Sequence, residues 1–442
     1  MSRNVGEVLE PTSEELRLAA IRREVQAGLI EVLDPDSALE SADEDLRTRS
    51  ATRVRQLVDR IGRDLDEAAR ARVAADVVSD AFGLGPLDAL LEDDAVTDVL
   101  INAPDRIFVE RDGTLGPVDV SFRDQTHLMH VIQRLVRRAG RRLDERSPMV
   151  DARLPDGARV NIIIPPLALD GPQVSIRRFS RIPFDVERLL RFETLAPATA
   201  RLLSAAVKGR LNIAITGGAG SGKTTLLNAL SGDIASTERV ITIEDAAELR
   251  LAGVHVVRLE TRAANLEGVG EVDPGALVRN ALRMRPDRII VGECRGGEAF
   301  DMLQAMNTGH DGSMTTLHAN SAGDALFRLE SMLAMSGFEA PVPVIREYLA
   351  SALDLVVHLD RLPGGRRVVG SVSEVRVAAD RSVDLVEIHR FRLSGVEDGV
   401  GRGEFEATGE RPDFLDRIAA KGIQVDDRIF DSGPLGAEET SR

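Results

Sequence analysis

Apolar and polar positions alternate differently in three regions of the chain. Residues 1–50 are polar and acid-rich with little apolar periodicity, which is typical of a tail or a loosely held helix. Over residues 51–82, apolar side chains such as Val54, Leu57 and Ile61 recur at helical spacing and predict an amphipathic helix. Residues 1–75 are therefore expected to form a polar, partly helical N-terminal extension.

A smaller α+β domain is predicted next, over residues 76–180. Short apolar runs separated by turn residues indicate strands, two of them at residues 158–164 and 174–179. A helix is predicted at residues 125–139. Residues 181–197 contain two prolines and are expected to link this domain to the following one.

From residue 198 to the end, strand and helix patterns alternate. Several of the five apolar runs are separated by helical patterns, which predicts an α/β domain with a mostly parallel sheet covered by helices on both faces. These runs are "LNIAIT", "RVITIE", "HVVRLET", "DRIIVGE" and "SMTTLHA". Beyond Leu353 the pattern changes to that of antiparallel strands joined by turns containing Gly and Asp.

Composition limits the function classes. With 56 basic and 72 acidic residues the chain carries a net charge of −16, and aromatic residues are only 3%, which counts against a surface built to grip nucleic acid. The single cysteine, Cys294, excludes an internal disulfide and fits a reducing compartment. The N-terminus lacks a signal-peptide pattern, and no apolar run reaches the roughly 18 residues that span a bilayer. We expect a cytoplasmic protein without transmembrane insertion, whose membrane role acts through a partner.

The segment "GGAGSGKTT" fits the phosphate-loop pattern in full. It follows an apolar strand and precedes a helix, as the motif requires. Small residues let backbone N–H groups surround a phosphate, Lys223 is expected to reach the β- and γ-phosphates, and the Thr224 hydroxyl is expected to bind Mg²⁺. The predicted nucleotide-binding residues here are Gly217, Gly218, Ala219, Gly220, Ser221, Gly222, Lys223, Thr224 and Thr225.

Acidic residues end two of the predicted strands. Glu293 follows "RIIVG", where its carboxylate could polarise the attacking water or hold the water shell of the metal. Glu244 and Asp245 follow "VITI", and the carboxyl ends of parallel strands converge on the ligand crevice. Glu293, Lys223 and Glu244 are the catalytic candidates, and Thr224 and Asp245 are the metal candidates. The alternative for each acid is a solvated strand end.

Two further motifs carry histidine and arginine. "NTGHDGSMTTLHAN" contains His310 and His318; no cysteine or acid pair completes a familiar metal-ligand spacing, so sensing of the γ-phosphate is preferred to metal binding, with a structural role as the alternative. The segments "LVRNALRMRPDR" and "RLVRRAGRR" are arginine-rich. They are either solvated helix faces or a source of arginines that neutralise phosphate charge, including from a neighbouring subunit.

Taken in order, "GGAGSGKTT", "ITIEDAAEL", "RIIVGECRGGEA" and "TGHDGSMTTLHA" resemble the hexameric ATPases of the type II/type IV secretion superfamily. The segments "FGLGPLDALLEDDAVTDVLINAPDRIFVERDG", "DARLPDGARVNIIIPPLALDGPQVSIRRF" and "EFEATGERPDFLDRIAAKGI" look like the branch that assembles tight-adherence (Flp-type) pili.

The resemblance implies a RecA-like ATPase domain after the N-terminal domain, ATP and Mg²⁺ as cofactors, and a ring of six identical subunits with nucleotide held between the two domains. It implies that Arg159 and Arg177 point at nucleotide, and that Arg279 and Arg283 precede the catalytic strand. It also implies an inner-membrane platform as partner, with the protein bound peripherally at the inner face of the plasma membrane.

The expected function is a motor in which ATP hydrolysis moves protein during assembly of a tight-adherence pilus, and possible retraction of that pilus is left open. One alternative is a type IV secretion ATPase that exports DNA or effectors. Others are a nucleic-acid motor of the RecA type, which the composition disfavours, and a nucleotide-gated scaffold that rarely hydrolyses ATP.

Overall fold

The chain folds as two compact units, residues 1–181 and 182–442. A computed structural model describes residues 13–30, 44–111, 114–154, 156–178, 184–251, 255–262, 269–377 and 383–435.

The first unit begins with three helices that share a small core of their own. They are α1 (Ser13–Ile30), α2 (Glu44–Ile61) and α3 (Glu67–Phe82), and their apolar sides meet at residues such as Val25, Leu57 and Val77. The sequence predicts one helix over residues 51–82. The structure has two there, because the Asp66 side chain accepts a hydrogen bond from the Ala69 N–H (2.7 Å) and starts α3 afresh.

Helix α1 changes the picture of the first 50 residues. Its Ile21, Val25 and Leu29 are buried against the other two helices, so this part of the expected tail or loose helix packs into the bundle. Residues 1–12 and 31–43 of the predicted extension lie outside the described residues.

The rest of the first unit is an antiparallel sheet with a short and a long helix packed on it. Its elements in chain order are α4 (Leu87–Glu92), β1 (Val96–Ala103), β2 (Arg106–Arg111), β3 (Thr114–Pro117), α5 (Gln125–Arg138), β4 (Met149–Arg153), β5 (Arg159–Ile163) and β6 (Gln173–Arg177). The strand order is β3-β2-β1-β6-β5-β4. Alternate residues of β5 and β6, including Val160 and Ile176, enter the core with α5, and the intervening residues are exposed.

The second unit contains the remaining elements. They are α6 (Val186–Arg191), α7 (Pro197–Lys208), β7 (Ile213–Gly217), α8 (Lys223–Ser231), β8 (Val240–Glu244), β9 (Val256–Glu260), α9 (Pro274–Ala281), β10 (Arg288–Val291), α10 (Glu298–Asn307), β11 (Met314–His318), α11 (Ala322–Met335), α12 (Val342–Ala352), β12 (Leu355–Arg361), β13 (Arg367–Val377), β14 (Val383–Glu397), β15 (Val400–Ala407), α13 (Leu415–Ala419), a 3₁₀ turn at Asp427–Phe430 and β16 (Gly433–Pro434).

One sheet of ten strands runs through this unit. Strands β12-β7-β11-β10-β8-β9 are parallel neighbours, and β13 to β16 continue the sheet from β12 in antiparallel pairs. Helices α7, α8 and α13 cover one face, and α9 to α12 cover the other. The predicted class is confirmed: an α/β unit with a mostly parallel sheet, preceded by a smaller α+β unit.

Residues 184–197 differ from the expected linker. They include α6, whose Leu189 is buried in the core of the second unit together with Leu195. Residues 181–183, also within the predicted linker, lie outside the described residues. No helix in the described ranges has both the length and the apolar content needed to cross a bilayer.

Candidate nucleotide-binding site

The glycine-rich loop connects β7 to α8 at the carboxyl edge of the parallel strands. Gly217 ends β7 with φ 150°, and a Cβ there would lie 2.5 Å from the Leu359 carbonyl oxygen, so the position requires glycine. Gly222 adopts a left-handed conformation, φ 97°, immediately before α8. The first N–H groups of α8 therefore face the loop, which is the arrangement that binds phosphate.

Lys223 lies inside this loop. Its Nζ donates hydrogen bonds to the carbonyl oxygens of Gly217 (3.1 Å) and Gly218 (2.8 Å). The same Nζ lies 3.4 Å from Nδ1 of His318. The side chain is buried, so its positive charge is concentrated where a phosphate would enter.

His318 links Lys223 to Glu293. Parallel pairing of β11 with β7 places His318 opposite Gly217, and its Nε2 lies 3.5 Å from Glu293 Oε1. Burial, assisted by the Lys223 ammonium and opposed by Glu293, lowers the pKa of His318. A neutral imidazole accepts from Lys223 at Nδ1 and directs Nε2–H at the carboxylate. Glu293 is half-buried, two residues beyond the end of β10.

Glu244 ends β8 as a buried carboxylate. Its Oε2 accepts from the N–H groups of Glu248 (2.7 Å) and Leu249 (2.8 Å). Its Oε1 is buried without a hydrogen-bond partner among the described residues. Burial raises the pKa of Glu244, while the two backbone N–H groups act in the opposite direction.

Asp245 faces a different partner. It forms an ion pair with Arg295 and accepts from the Thr261 hydroxyl at 3.0 Å. The metal candidate Asp245 is thus paired with a cation, whereas one oxygen of its neighbour Glu244 has no partner in the part of the chain that the structure describes. Thr224 is half-buried in the first turn of α8, beside the loop.

Three of the predicted residues of this unit lie elsewhere. His310 precedes β11 whereas His318 ends it, so the two histidines lie at opposite ends of one strand; the His310 ring faces the Ala305 carbonyl oxygen at 3.3 Å. Arg279 pairs with Asp301 (2.6 Å), and Arg283 donates to the Arg279 carbonyl (3.1 Å). These arginines belong to the segment of α9, on the opposite face of the sheet from α8.

Arg159 and Arg177 lie together in the first unit. They are cross-strand partners in the register of β5 and β6, and both are exposed on the face away from the core. Arg153 is the next partner along the same row, on β4. Adjacent cations on one face form a patch of positive potential that suits an anionic ligand.

Comparison with family models identifies the family to which the chain belongs. The model of the type II/IV secretion system protein family matches residues 80–383, which include both the loop and the arginine pair. The chain belongs to this family.

Relatives in the type II/IV secretion family have names that refer to different roles. A Mycobacterium tuberculosis (strain ATCC 25618 / H37Rv) protein provisionally named for conjugal transfer is 39% identical over 316 residues, covering 70% of this chain and 89% of its own. The type IV secretion system protein VirB11 of Brucella suis biovar 1 is 34% identical over 323 residues, covering 66% and 88%. The crystal structure of a Brucella suis VirB11 ATPase with sulphate matches with 32% identity, TM-score 0.35, and coverage of 66% and 97%.

Two features of this family member are absent from the sequence-based prediction. The Thr216 hydroxyl, one residue before the loop, lies 2.9 Å from His358 Nδ1, and His358 Nε2 lies 3.4 Å from Asp360. Arg367 also contacts the loop. His358 lies on β12 and Arg367 on β13, each more than 130 residues after the loop in sequence. No local sequence motif predicts either contact.

ATP and Mg²⁺, the cofactors expected for this family, fit the residues present. Ser221 Oγ and Glu244 Oε1 are both buried at the site without hydrogen-bond partners among the described residues, which is where a polar ligand or its bound water would satisfy them. Glycines line the loop where a phosphate must approach the backbone closely.

Proposed function

We propose that this protein is an ATP-hydrolysing motor of a secretion or pilus machine. One observation carries the proposal: the phosphate loop, the chain Lys223–His318–Glu293 and the buried Glu244 meet at one edge of the sheet. Attack of water on a γ-phosphate requires a positive charge that binds the phosphates and a nearby carboxylate that can accept a proton, and this site has both.

Each residue has a separate role in this proposal. Lys223 binds the β- and γ-phosphates, and the loop N–H groups surround the β-phosphate. Glu293 orients water and accepts its proton, with His318 fixing the carboxylate. Thr224 would hold Mg²⁺, and Asp245 and Glu244 are the candidate acids for its water shell; such an ion would neutralise phosphate charge.

We assign the remaining arginines to a shared site in a six-subunit ring. Arg159 and Arg177 are exposed and adjacent, so they can contact the phosphates of a bound nucleotide. The Arg279 side chain is 55% exposed although it pairs with Asp301. Its place away from the loop of its own subunit is compatible with action on a neighbouring subunit. In this proposal, His310 can sense a γ-phosphate only if the nucleotide belongs to a neighbouring subunit of the ring.

The machine that the motor drives has two candidates. Segments resembling the tight-adherence branch favour pilus assembly through an inner-membrane platform, with the motor bound peripherally at the inner face of the membrane. Relatives named for conjugal transfer and type IV secretion favour export of DNA or effectors to about the same degree. Deleting the gene and scoring surface pili, plasmid transfer and protein secretion separately distinguishes the two: the first candidate predicts loss of pili, and the second predicts loss of plasmid transfer or protein secretion.

Substitution of Glu293 by Gln tests the hydrolysis proposal. Gln keeps the shape but cannot accept a proton, so Glu293→Gln is expected to lower the ATP turnover number about 10²–10⁴-fold while leaving ATP affinity unchanged. Steady-state phosphate release and equilibrium binding of a fluorescent ATP analogue measure the two quantities. The exposed Glu339, changed to Gln, is the control. Near-parental turnover of Glu293→Gln would move the base to Glu244.

A further inference from the structure

Arg367 reaches the phosphate loop from the antiparallel half of the sheet. It begins β13, and its Nε donates a hydrogen bond to the Gly220 carbonyl oxygen at 2.8 Å. Its Cδ lies 3.6 Å from the position that a Cβ on Gly222 would occupy. The side chain therefore extends along the outer side of the loop, from Gly222 to Gly220.

This contact fixes the direction of the next backbone N–H. In a trans peptide the C=O and the following N–H point in opposite directions. Because Arg367 holds the Gly220 carbonyl outward, the N–H of Ser221 points to the inside of the loop. That N–H makes a long bond, 3.4 Å, to the Gly218 carbonyl oxygen, which a phosphate oxygen can replace.

The turn that carries Arg367 is held from two sides. Arg361 and Arg367 face each other at the ends of β12 and β13, and Leu362 N–H bonds to the Arg366 carbonyl (2.8 Å). From the tip of the β14–β15 hairpin, Gly401 N–H donates to the Pro363 carbonyl at 2.9 Å. The Arg367 guanidinium thus connects the loop to β13, which lies in the antiparallel part of the sheet.

We propose that Arg367 is a positioning residue of the nucleotide site: it sets the phosphate loop in its binding shape without contacting the reacting atoms. The inference rests on the proposed ATP binding at this loop. The Arg367 guanidinium, by bonding to the Gly220 carbonyl, orients the Ser221 N–H. That N–H would contact the phosphate of bound nucleotide before any reaction takes place. Loss of the contact therefore weakens nucleotide binding more than it slows the chemical step.

Matched substitutions in the full chain test this role. Arg367→Met keeps the stem but removes the donor, Arg367→Lys restores a donor, and Arg392→Met removes a similar charge from β14, where Arg392 pairs with Glu406 at 2.9 Å. Binding of a fluorescent ATP analogue with Mg²⁺, steady-state kcat and KM, and the melting temperature without nucleotide are measured for each.

We expect Arg367→Met to raise the dissociation constant and KM about tenfold, with kcat within about threefold of the parent. Arg367→Lys should recover part of the affinity, and Arg392→Met should bind like the parent. Unchanged affinity in an Arg367→Met protein of parental melting temperature overturns the inference alone. A fall in kcat without loss of affinity overturns it in favour of direct catalysis. A parent chain that does not bind the analogue overturns the inference together with the proposed function.

Discussion

Lys223 holds the phosphate loop through two backbone carbonyl oxygens, and the same ammonium is the group expected to meet phosphate. Burial lowers the pKa of its neighbour His318, which favours the neutral imidazole over a second cation at the loop. The two side chains therefore have different roles: the lysine supplies charge, and the histidine contacts both Lys223 and Glu293.

Lys223→Ala is accordingly expected to behave differently from Glu293→Gln. Loss of a charge-assisted phosphate contact costs about 1.5–3 kcal/mol, which corresponds to roughly 10–100-fold in affinity. Equilibrium binding of the fluorescent ATP analogue should therefore weaken in Lys223→Ala and stay parental in Glu293→Gln. Equal affinity of Lys223→Ala and the parent would remove the loop from the proposed nucleotide site.

Strand β14 is joined to helix α7 and to the 3₁₀ turn by one buried imidazole. His389 Nε2 donates to the Ile429 carbonyl oxygen at 2.8 Å, and its Nδ1 accepts from the Thr199 hydroxyl at 3.0 Å. Both ring nitrogens are satisfied by a neutral ring. Burial lowers the pKa of His389 to about 4, from an ordinary value of 6.5.

This geometry makes the second unit sensitive to acid. Between pH 6.5 and 4, His389 binds a proton in the unfolded chain but not in the folded chain. The contribution of His389 to the free energy of unfolding is therefore complete above pH 6.5 and falls as the pH drops toward 4. At pH 5 the loss is roughly 2 kcal/mol. Melting temperatures at pH 7.5 and pH 5 should differ by less in His389→Gln than in the parent.

The exposed His255, changed to Gln, is the control for this prediction. Its substitution should leave the pH difference in melting temperature as large as in the parent. A His389→Gln protein that loses as much on acidification as the parent would show that other groups carry the acid sensitivity.

The hydrophobic and turn patterns of the sequence predict the main helices and strands and the part of the candidate site that directly follows apolar strands. The phosphate loop, Glu244 and Glu293 each follow an apolar strand directly, so their common edge could be inferred from parallel pairing alone. The contact of Arg367 with Gly220 spans 147 positions and comes from an antiparallel hairpin, and no spacing rule predicts it. His310 and His318 share one motif, but β11 separates them, because a five-residue strand places its ends at opposite edges of the sheet.

At the scale of the whole molecule, the residues proposed to contact nucleotide occur in both units of the chain. The loop and its acids belong to residues 182–442, and the Arg159–Arg177 pair belongs to residues 1–181. A ring allows such parts to be shared between copies of the chain. The net charge of −16 causes repulsion between copies that the contacts within a ring would have to offset.

We therefore expect ATP and Mg²⁺ to promote a hexamer. Light scattering should give six copies of the 47.9-kDa chain with both ligands present. Lys223→Ala, which binds nucleotide weakly, should assemble less at the same ligand concentration. A parent protein that stays monomeric at saturating ATP would contradict the ring.

Gly292 has a consequence for how this sequence can diverge. A Cβ at this position would lie 2.8 Å from Cγ of Glu244, so the missing side chain is the space into which that buried carboxylate folds. Alanine fits at position 292 only where the side chain at position 244 is shorter than glutamate. Across relatives, alanine at position 292 should therefore occur together with a shorter residue at position 244, and the two positions should rarely change alone. A proposed catalytic acid on one strand thus determines which substitutions the neighbouring strand tolerates.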